Sequence, residues 1–304
     1  MKKPVITVIG SINMDLVTIA SRVPSQGETI LGEKFHLIPG GKGANQAVAA
    51  ARLGAEVHMI GAVGTDAFGK ELMNSLKREG IFVDCVKPVT HIETGVASIT
   101  ISEGDNRIIV VPGANHALCP EDVEQCEDVI AKSDVCLLQL EIPLLVVEKA
   151  VSLAKKHGVL VILNPAPAQP LPKSLLEQVD ILTPNEHERD IILAGEDAQE
   201  FAHKLVVTEG ARGVTMVKNG KPMRIPSFSV SVVDTTGAGD TFNGALAVAL
   251  SKGMELEDAC YFGNAAAALS VTKLGAQTGM PTEAEVRQFL EIKGDQNEKA
   301  RNFE

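Results

Sequence analysis

Aromatic residues are scarce in this sequence: among 304 residues there are nine Phe, one Tyr and no Trp. Proteins that bind single-stranded nucleic acid stack its bases on aromatic side chains, so this class of function is disfavoured. The formal net charge of −11 also disfavours broad contact with nucleic-acid phosphates or anionic lipid. We therefore expect no nucleic-acid partner and no membrane partner, and any bound anion must be held by local groups.

Paired cysteines and long apolar runs are lacking as well. The five cysteines are odd in number and form no C-x-x-C motif, which disfavours a disulfide framework and a zinc knuckle. The first apolar run, Val5–Ile9, is too short for a signal peptide, and no stretch approaches the roughly 18 apolar residues of a transmembrane helix. The sequence predicts a cytoplasmic protein with free thiols.

Short apolar runs alternate with helical patterns along most of the chain. Such runs are typical of strands that are buried on both faces of a parallel sheet. Their alternation with helices predicts an α/β fold with a doubly wound, mostly parallel sheet flanked by helices. The predicted strands are 5–9, 57–63, 135–140, 159–163, 181–183 and 230–233, and the predicted helices are 44–53, 68–79, 121–132, 144–157, 238–251 and 256–274.

Two stretches, 16–37 and 94–111, have β-type residues and turn residues but no helical period. Within the second, 95–101 and 107–111 flank Gly104-Asp105-Asn106, which is typical of a hairpin. A small β-sheet inserted in this way could cover a site as a lid. We expect an α/β core (1–14, 41–94 and 112–293), a β-lid (15–40 and 95–111) and a polar tail (294–304).

The hairpin also predicts an oligomer. Ile99 and Ile101 on one strand, and Ile109 and Val111 on the other, alternate with their neighbours and form at least one apolar face. A two-stranded ribbon cannot bury such a face by itself. We expect this face to pair with a second copy of the chain in a homodimer.

The segment Asp234-Thr-Thr-Gly-Ala-Gly-Asp240 is the most informative one for chemistry. Its glycines can expose backbone N–H groups, and the following helix adds the positive end of its dipole, so the segment can form an anion site. The spacing matches neither G-x-G-x-x-G nor a Walker loop. On its own, the segment fits equally well an N-capped helix start with Asp240 as the cap.

Two further segments place polar side chains beside predicted helix and strand ends. Pro39-Gly-Gly-Lys-Gly-Ala-Asn-Gln46 enters a helix and suits recognition of hydroxyl groups, or is a tight turn with a solvated Lys42. In Gly10-Ser-Ile-Asn-Met-Asp15, the Asn and Asp side chains share a face if the chain is extended, and both could bind one polyol. The alternative there is an Asx turn.

Together, five segments resemble the phosphofructokinase B family of ribokinase-like sugar kinases over about residues 5–290. The resemblance implies transfer of the γ-phosphate of ATP to the 5-hydroxyl of D-ribose, with Mg²⁺, activation by a monovalent cation (K⁺), and a homodimer formed through the β-lid. The five segments are Gly10-Ser-Ile-Asn-Met-Asp15, Gly40-Gly-Lys-Gly-Ala-Asn-Gln-Ala47, Asn164-Pro-Ala-Pro-Ala168, Thr183-Pro-Asn-Glu186 and Asp234-Thr-Thr-Gly-Ala-Gly-Asp-Thr-Phe242.

The resemblance assigns roles to individual residues. It implies that Asp240 is the general base and that the amides of Gly237, Ala238, Gly239 and Asp240 bind the transferring phosphoryl group. Phosphoryl transfer needs mainly alignment and charge stabilisation, with a carboxylate to accept the proton, which agrees with this division. The implied sugar contacts are Asn13, Asp15, Gly41, Lys42, Asn45, Glu141 and Asp240.

ATP and the cations have implied ligands too. Asn185 and Glu188 match the N-x-x-E element linked to Mg²⁺ and phosphate, and a carboxylate acting through water is ordinary Mg²⁺ chemistry. The implied nucleotide contacts are Asn185, Thr208, Gly210, Gly213, Gly239 and Asn264, and the implied monovalent-cation loop comprises Asp234, Thr236, Ser270, Lys273, Gly275 and Gly279, mostly through main-chain oxygens.

The sequence departs from the family pattern in two places. A small hydroxyl residue often stands where this chain has Gly279, so we expect one cation ligand to be missing or replaced by water. The stretch 188–207 is shorter than usual and has room for about one helix and no extra strand.

Two other functions compete with the leading one. A related kinase could act on a nucleoside, deoxyribose or another furanose, although the few aromatic residues offer no obvious stack for a nucleobase. A non-catalytic sugar-binding regulator could also use this fold. Asp240 and the glycines of its loop disfavour the regulator, because binding alone needs neither a base nor a phosphate site.

Overall fold

The computed structural model describes residues 3–103 and 105–301, which contain thirteen strands. In chain order these are β1 (Val5–Ile9), β2 (Asn13–Ile19), β3 (Lys34–Gly40), β4 (Glu56–Gly64), β5 (Phe82–Val89), β6 (Gly95–Ser102), β7 (Asp105–Val111), β8 (Val135–Leu138), β9 (Leu160–Leu163), β10 (Ile181–Leu182), β11 (Val206–Thr208), β12 (Val214–Lys218) and β13 (Lys221–Ile225).

Twelve α-helices lie between and after these strands in the same ranges. They are α1 (Lys42–Arg52), α2 (Ala67–Arg78), α3 (Pro120–Glu124), α4 (Glu127–Ile130), α5 (Leu144–Lys156), α6 (Lys173–Gln178), α7 (Glu186–Ile192), α8 (Ala198–Phe201), α9 (Ala238–Ser251), α10 (Leu256–Ser270), α11 (Ala276–Gly279) and α12 (Glu283–Arg301), with short 3₁₀ turns at Gly113–Ala117, Ala202–Lys204 and Gly210–Arg212.

The centre of the fold is a six-stranded sheet in the order β10-β9-β8-β1-β4-β5. All of its neighbouring strands are parallel. Successive side chains of β1 point to opposite faces: Ile6 and Val8 join the apolar core that contains α1, α9 and α10, whereas Ile9 joins the core that contains α5. Helices therefore cover both faces of the sheet, and the predicted doubly wound α/β fold is confirmed.

Two smaller sheets flank this centre. One has the order β3-β2-β6-β7 and is formed from the two stretches without helical period; the other is the antiparallel sheet β11-β12-β13. In the first, β2 pairs with β3 antiparallel and with β6 parallel. Strand β2 begins four residues after β1 ends, so this sheet lies next to the carboxyl end of β1. The predicted inserted sheet is thus present, and its action as a lid stays a prediction.

The hairpin β6–β7 differs in detail from the expectation. Ser98 pairs with Ile109 and Ile99 with Ile108, so Ile99 and Ile109 lie on opposite faces of the sheet. The register of a hairpin follows from its turn, which apolar alternation within each strand does not reveal. Every residue of β7 is exposed, so its apolar side chains are open on both faces. Gly104, in the predicted turn, lies outside the described residues.

Several predicted elements are wrong in their limits. Residues 121–132 form two short helices, α3 and α4, and residues 230–233 form no strand. Helix α10 ends at Ser270 rather than at 274. The stretch 188–207 includes most of α7 and all of α8 instead of one helix, with no strand before β11. Helix α12 continues through the predicted polar tail to Arg301, and residues 302–304 lie outside the described part; the division of the chain into core, lid and tail stays a prediction.

Candidate active site

The start of α1 approaches the turn between β1 and β2 very closely. Its N-cap residue, Gly41, has a φ of 88°, and a Cβ atom there would lie 2.7 Å from the backbone nitrogen of Asn13. Only glycine fits this conformation and this contact without strain. The close approach brings Lys42 and Asn45 of α1 to the same place as Asn13 and Asp15 of β2, as the sugar-contact prediction requires.

The charges of three carboxylates, those of Asp240, Glu141 and Glu188, act on the side chain of Lys42. Burial, together with the charges of Glu141 and Asp240, raises the pKa of Asp15 to about 7. Burial alone would lower the pKa of Lys42, but the charges of Asp240, Glu141 and Glu188 outweigh burial and raise it. Lys42 is therefore a half-buried ammonium group held in its charged form by carboxylates from different elements.

The side chain of Glu141 is held by two hydrogen bonds, one from the turn after β1 and one from the start of α1. Its carboxylate accepts hydrogen bonds from the hydroxyl of Ser11 (2.5 Å) and from the backbone N–H of Lys42 (3.1 Å). Glu141 lies three residues after the end of β8, and Ser11 lies two residues after the end of β1. The carboxyl ends of neighbouring parallel strands thus supply these groups, which is the usual ligand edge of a doubly wound sheet.

Asp240 lies in the first turn of α9 and is almost completely buried. Its Oδ2 accepts a hydrogen bond from Asn45 Nδ2 and its Oδ1 accepts one from Gln46 Nε2, both at 3.0 Å. Burial raises the pKa of Asp240, while Lys42 and the two amides oppose this effect. Since α9 begins at Ala238 after Gly237, the alternative of Asp240 as the N-cap is wrong.

The turn before α9 has features that suit an anion. Gly237, the N-cap residue, has a φ of 77°, and no side chain caps the helix start. A Cβ on Gly237 would lie 2.8 Å from Cβ of Ala276, so the turn packs tightly against α11. The N–H of Ala238 donates to the carbonyl oxygen of Thr235 at 3.2 Å. The N–H groups of Gly239 and Asp240 lie at the positive end of the helix dipole, where they can bind an anion.

The residues of the implied cation loop lie next to this turn. Asp234 Oδ1 accepts hydrogen bonds from N (2.9 Å) and Oγ1 (2.7 Å) of Thr236, and its Oδ2 accepts one from the N–H of Gly275 (2.8 Å). Burial would raise the pKa of Asp234, but these hydrogen bonds hold it below its usual value. The carboxylate therefore ties the segment before α9 to the segment before α11.

The other residues of the implied cation loop include a tightly packed glycine and a half-exposed lysine. A Cβ on Gly279 would lie 2.1 Å from the carbonyl oxygen of Ser270, so backbone occupies the space of a side chain there. The side chain of Lys273 is half exposed and lies 3.8 Å from Glu285. Among the described residues there is no cluster of three or more His, Cys, Asp or Glu side chains suited to a metal.

The implied nucleotide residues form a second group. Asn185 caps α7 by accepting from the N–H of Glu188, and Glu188 accepts from the N–H of Asn185, both at 2.8 Å. A bridge joins Asn185 to Thr208 at the end of β11. Gly210 and Gly213 delimit the 3₁₀ turn that follows, with φ of 58° and 95°. The start of α7 and the turn from Gly210 to Gly213 therefore lie at the same end of β11.

Asn264 lies apart from that turn, inside α10. It is buried, and its Nδ2 donates to the carbonyl oxygens of Ile225 (3.0 Å) and Pro226 (3.2 Å) just after β13. Both N–H groups of its amide are thus bound to backbone. Its implied contact with the nucleotide stays a prediction.

A cavity of about 580 Å³ opens beside Asn13 and Glu141. Val110 of β7 and the buried Asn115 line it. Asn115 Nδ2 donates to Oδ1 of Asn13 at 2.7 Å, and its Oδ1 accepts from the N–H of Ile12 at 2.9 Å. These bonds turn the Nδ2 of Asn13 away from Asn115 and leave it free to donate to a ligand.

The sequence analysis did not single out a set of buried amide side chains that support the predicted site residues. Gln139 interrupts an apolar strand run, and Gln46 and Gln277 lie among small apolar residues, so a polar residue in a buried segment was the available signal. The set comprises Gln46, Asn115, Gln139, Asn164 and Gln277.

Comparison with known proteins identifies the class. A model described as pfkB family carbohydrate kinase matches residues 3–283. The chain belongs to this family of carbohydrate kinases, and the resemblance predicted from the five motifs is confirmed. In residues 3–103 and 105–301, no helix has the length and apolar character needed to cross a membrane.

Individual relatives cover nearly the whole chain. It is 49% identical over 289 residues to the ribokinase of Bacillus subtilis (strain 168), and the alignment covers 94% of this chain and 99% of that protein. It is 36% identical over 303 residues to the deoxyribokinase of Salmonella typhi, with 94% and 99% covered. The structure of Arabidopsis thaliana ribokinase complexed with ribose and ATP is similar with a TM-score of 0.86, at 34% identity and with 95% and 99% covered.

Proposed function

We propose that this protein is an ATP-dependent kinase that phosphorylates the 5-hydroxyl of D-ribose to give ribose 5-phosphate. The observation on which this rests is the position of Asp240, a buried carboxylate in the first turn of a helix whose amides are uncapped. A base and an anion site are thereby adjacent. The B. subtilis and A. thaliana relatives, both ribokinases, support ribose as the sugar.

The transfer step follows from these positions. The sugar hydroxyl approaches Asp240, which accepts its proton as the oxygen attacks the γ-phosphorus of ATP. The bond from that phosphorus to the β,γ-bridging oxygen breaks, and ADP leaves with the electron pair. The amides of Gly237, Ala238, Gly239 and Asp240 stabilise the charge on the transferring phosphoryl group, and Lys42 adds a fixed positive charge beside it.

The sugar is held by groups around this point. Asn13 donates, because Asn115 engages its oxygen. Asp15, with a pKa of about 7, can donate to a hydroxyl when protonated and accept when ionised. The proposed contacts are Asn13, Asp15, Gly41, Lys42, Asn45, Glu141 and Asp240.

ATP and Mg²⁺ are proposed to bind at the start of α7 and the end of β11. Glu188 suits Mg²⁺ because it is a half-buried carboxylate whose charge acts on Lys42 across the site, and Mg²⁺ is commonly held by a carboxylate through water. Bound there, Mg²⁺ would neutralise charge on the phosphates. Asn185, Thr208, Gly210, Gly213, Gly239 and Asn264 are the proposed nucleotide contacts.

A monovalent cation, K⁺, is proposed at the loop beside the anion site. The available donors are oxygens only, namely the Asp234 carboxylate and main-chain carbonyls near it, and such oxygen sets suit hard cations. Gly279 offers no side-chain oxygen, so we expect weak discrimination among cations. The proposed ligand residues are Asp234, Thr236, Ser270, Lys273, Gly275 and Gly279.

We also propose a homodimer formed through the β3-β2-β6-β7 sheet, and a cytoplasmic location. The open apolar side chains on both faces of β7 support the dimer. All five cysteines are free, as a reducing compartment would keep them.

A second candidate substrate is 2-deoxyribose. The S. typhi deoxyribokinase, at 36% identity, is less similar than the B. subtilis ribokinase, at 49%. Nucleosides and other furanoses remain further alternatives. A non-catalytic regulator is disfavoured, because the buried Asp240 and the open amides would serve no purpose in binding alone.

The test is an ATP-consumption assay against D-ribose, 2-deoxy-D-ribose, hexoses and nucleosides, with the phosphorylated carbon located by phosphorus NMR. We expect the highest kcat/KM with ribose and a product with phosphate on carbon 5. A preference for deoxyribose or a nucleoside would replace the substrate, and no turnover with any sugar would contradict kinase activity.

A further inference from the structure

Gln46 follows Asn45 in α1 and is wholly buried. Its Nε2 donates to Oδ1 of Asp240 (3.0 Å) and to Oδ1 of Asn164 (3.1 Å). A primary amide has two N–H groups, and both are therefore used inside the protein. Gln46 has no donor left for a substrate, and it has no surface on which a substrate could lie.

The orientation of the Gln46 amide is set by its own partners. Its Oε1 accepts a hydrogen bond of 2.6 Å from Nε2 of Gln139. Asn164 in turn donates from Nδ2 to the carbonyl oxygen of Thr183 at 3.2 Å, which leaves its Oδ1 for Gln46. A donor on one side and an acceptor on the other thus direct the nitrogen of Gln46 toward Asp240.

Asn45 engages the other oxygen of the same carboxylate in a different way. Its Nδ2 donates to Oδ2 of Asp240, and its Oδ1 accepts from Nε2 of Gln277, both at 3.0 Å. Unlike Gln46, Asn45 is slightly exposed and has one N–H that is not engaged by these bonds. The Oδ2 side of the carboxylate is therefore the side that a ligand can reach.

We propose that Gln46 is a positioning residue for phosphoryl transfer: it holds Oδ1 of Asp240 so that Oδ2 points at the sugar hydroxyl and receives its proton. This inference rests on the proposed role of Asp240 as the base. The last torsion of an aspartate is soft, whereas a base must lie within hydrogen-bond reach of the proton it accepts. The chain Gln139–Gln46–Asp240 restricts that torsion from inside the core.

The test compares Gln46→Met with the unchanged protein. Met fills a similar volume without a donor, so we expect kcat to fall by about tenfold or more, while the Kd for ribose, measured by calorimetry, stays within about threefold. Loss of a hydrogen bond to the ionised carboxylate should also move the acid limb of kcat/KM to higher pH. The other charged groups around Asp240, namely Lys42, Glu141 and Asp15, are unchanged in this variant.

Thr7→Val is the matched control for lost stability. Thr7 in β1 is wholly buried, and its Oγ1 lies 2.6 Å from Oγ of Ser133, which precedes β8 at the amino end of that strand rather than at the carboxyl ends where the site lies. This variant loses one buried hydrogen bond, so we expect a lower melting temperature, an unchanged kcat and an unmoved acid limb. A loss of activity in Thr7→Val equal to that in Gln46→Met would show that general destabilisation explains both.

Gln139→Met acts on Gln46 from one residue further away. The variant removes the donor that binds Oε1 of Gln46. It also removes Oε1 of Gln139, a buried oxygen without a partner among the described residues, so we expect the variant to fold. Its kcat should fall less than that of Gln46→Met, and the double variant should equal Gln46→Met. If Gln46→Met does not fold, the pH profile of Gln139→Met decides.

Three results would overturn the inference: kcat within about twofold in both variants at every pH, a fall in ribose affinity equal to the fall in kcat/KM, or lower activity with an unmoved acid limb. Failure of the proposed function gives a different result, because the unchanged protein would then phosphorylate no sugar.

Discussion

Asp15, Glu141 and Asp240 share one small volume with Lys42, and their charges influence each other. Burial raises the pKa of Asp15, as do the other two carboxylates, to about 7, and the same carboxylates keep the pKa of Lys42 high. Near neutral pH, Lys42 is therefore charged and Asp15 is partly protonated. Both forms of Asp15 can bind a hydroxyl, one as a donor and the other as an acceptor.

Asp15 makes stability depend on pH. Its pKa rises from about 4 in the unfolded chain to about 7 in the fold, so the folded state keeps a proton that the unfolded chain has released. The contribution of Asp15 to the free energy of unfolding therefore falls as pH rises from about 4 to about 7 and levels off above that. In Asp15→Asn this fall should shrink by at least about 1 kcal/mol, as measured by denaturant unfolding at several pH values.

Asp84→Asn is the control for this measurement, because Asp84 is exposed and lies on the edge strand β5. This variant removes the same charge from a carboxylate that is not buried. The explanation is wrong if Asp15→Asn keeps the full pH dependence of the unchanged protein.

Asn45 and Gln46 are neighbours with different expected kinetics. Asn45→Ala removes a group that a sugar can reach, so the KM for ribose should rise by about tenfold or more, with little change in the KM for ATP. Steady-state rates with each substrate varied in turn give both constants. Equal changes in the two KM values would contradict the placement of Asn45 on the sugar side.

At the scale of elements, the site depends on where helices begin. The starts of α1, α7 and α9 meet beside the carboxyl ends of the parallel strands, as the charges of Asp240, Glu141 and Glu188 on Lys42 indicate. The first N–H groups of α1 are bound to Ser11 and Glu141, and Asn185 and Glu188 cap the start of α7. No side chain caps the start of α9, so this helix start suits an anion such as a phosphoryl group best of the three.

The exposed strand β7 tests the proposed dimer. Ile109 is 70% exposed, so Ile109→Glu should place a charge in the proposed interface and shift the mass measured by light scattering at micromolar concentration from dimer to monomer. Leu145→Glu is the control, because Leu145 on α5 is 67% exposed and lies outside that sheet. A monomeric unchanged protein, or a dimer in both variants, would exclude this interface.

The Asp234 turn tests the proposed cation. An ion held there would fix the amides that follow Gly237 without touching the substrate, so K⁺ should raise kcat more than it tightens ribose binding. The measurement replaces K⁺ with a bulky organic cation at constant ionic strength and follows initial rates. Unchanged rates would leave the turn, already tied by Asp234 to Gly275, as a purely structural element.

At the scale of the whole molecule, local patterns predicted the sheet and the position of the site. Strands such as β1 are buried on both faces, so a short apolar run marks them, and the motifs follow their carboxyl ends. The amide network could not be predicted, because Gln46 lies 194 residues from Asp240 and 93 from Gln139 along the chain. Such pairs depend on how helices pack, which no local pattern records. The side chains that share a face of the β6–β7 hairpin could not be predicted either, because they depend on the register between the two strands.

The central claim is that a carboxylate in the first turn of α9 accepts a proton during phosphoryl transfer. Asp240→Asn tests it most directly, because Asn keeps the size of the side chain and removes the base. Calorimetric titration with ribose and ATP, beside initial rates on the same preparation, should give binding within about threefold of the unchanged protein and a kcat lower by about 10² or more. An Asp240→Asn variant that binds both substrates and keeps most of its rate would contradict the account.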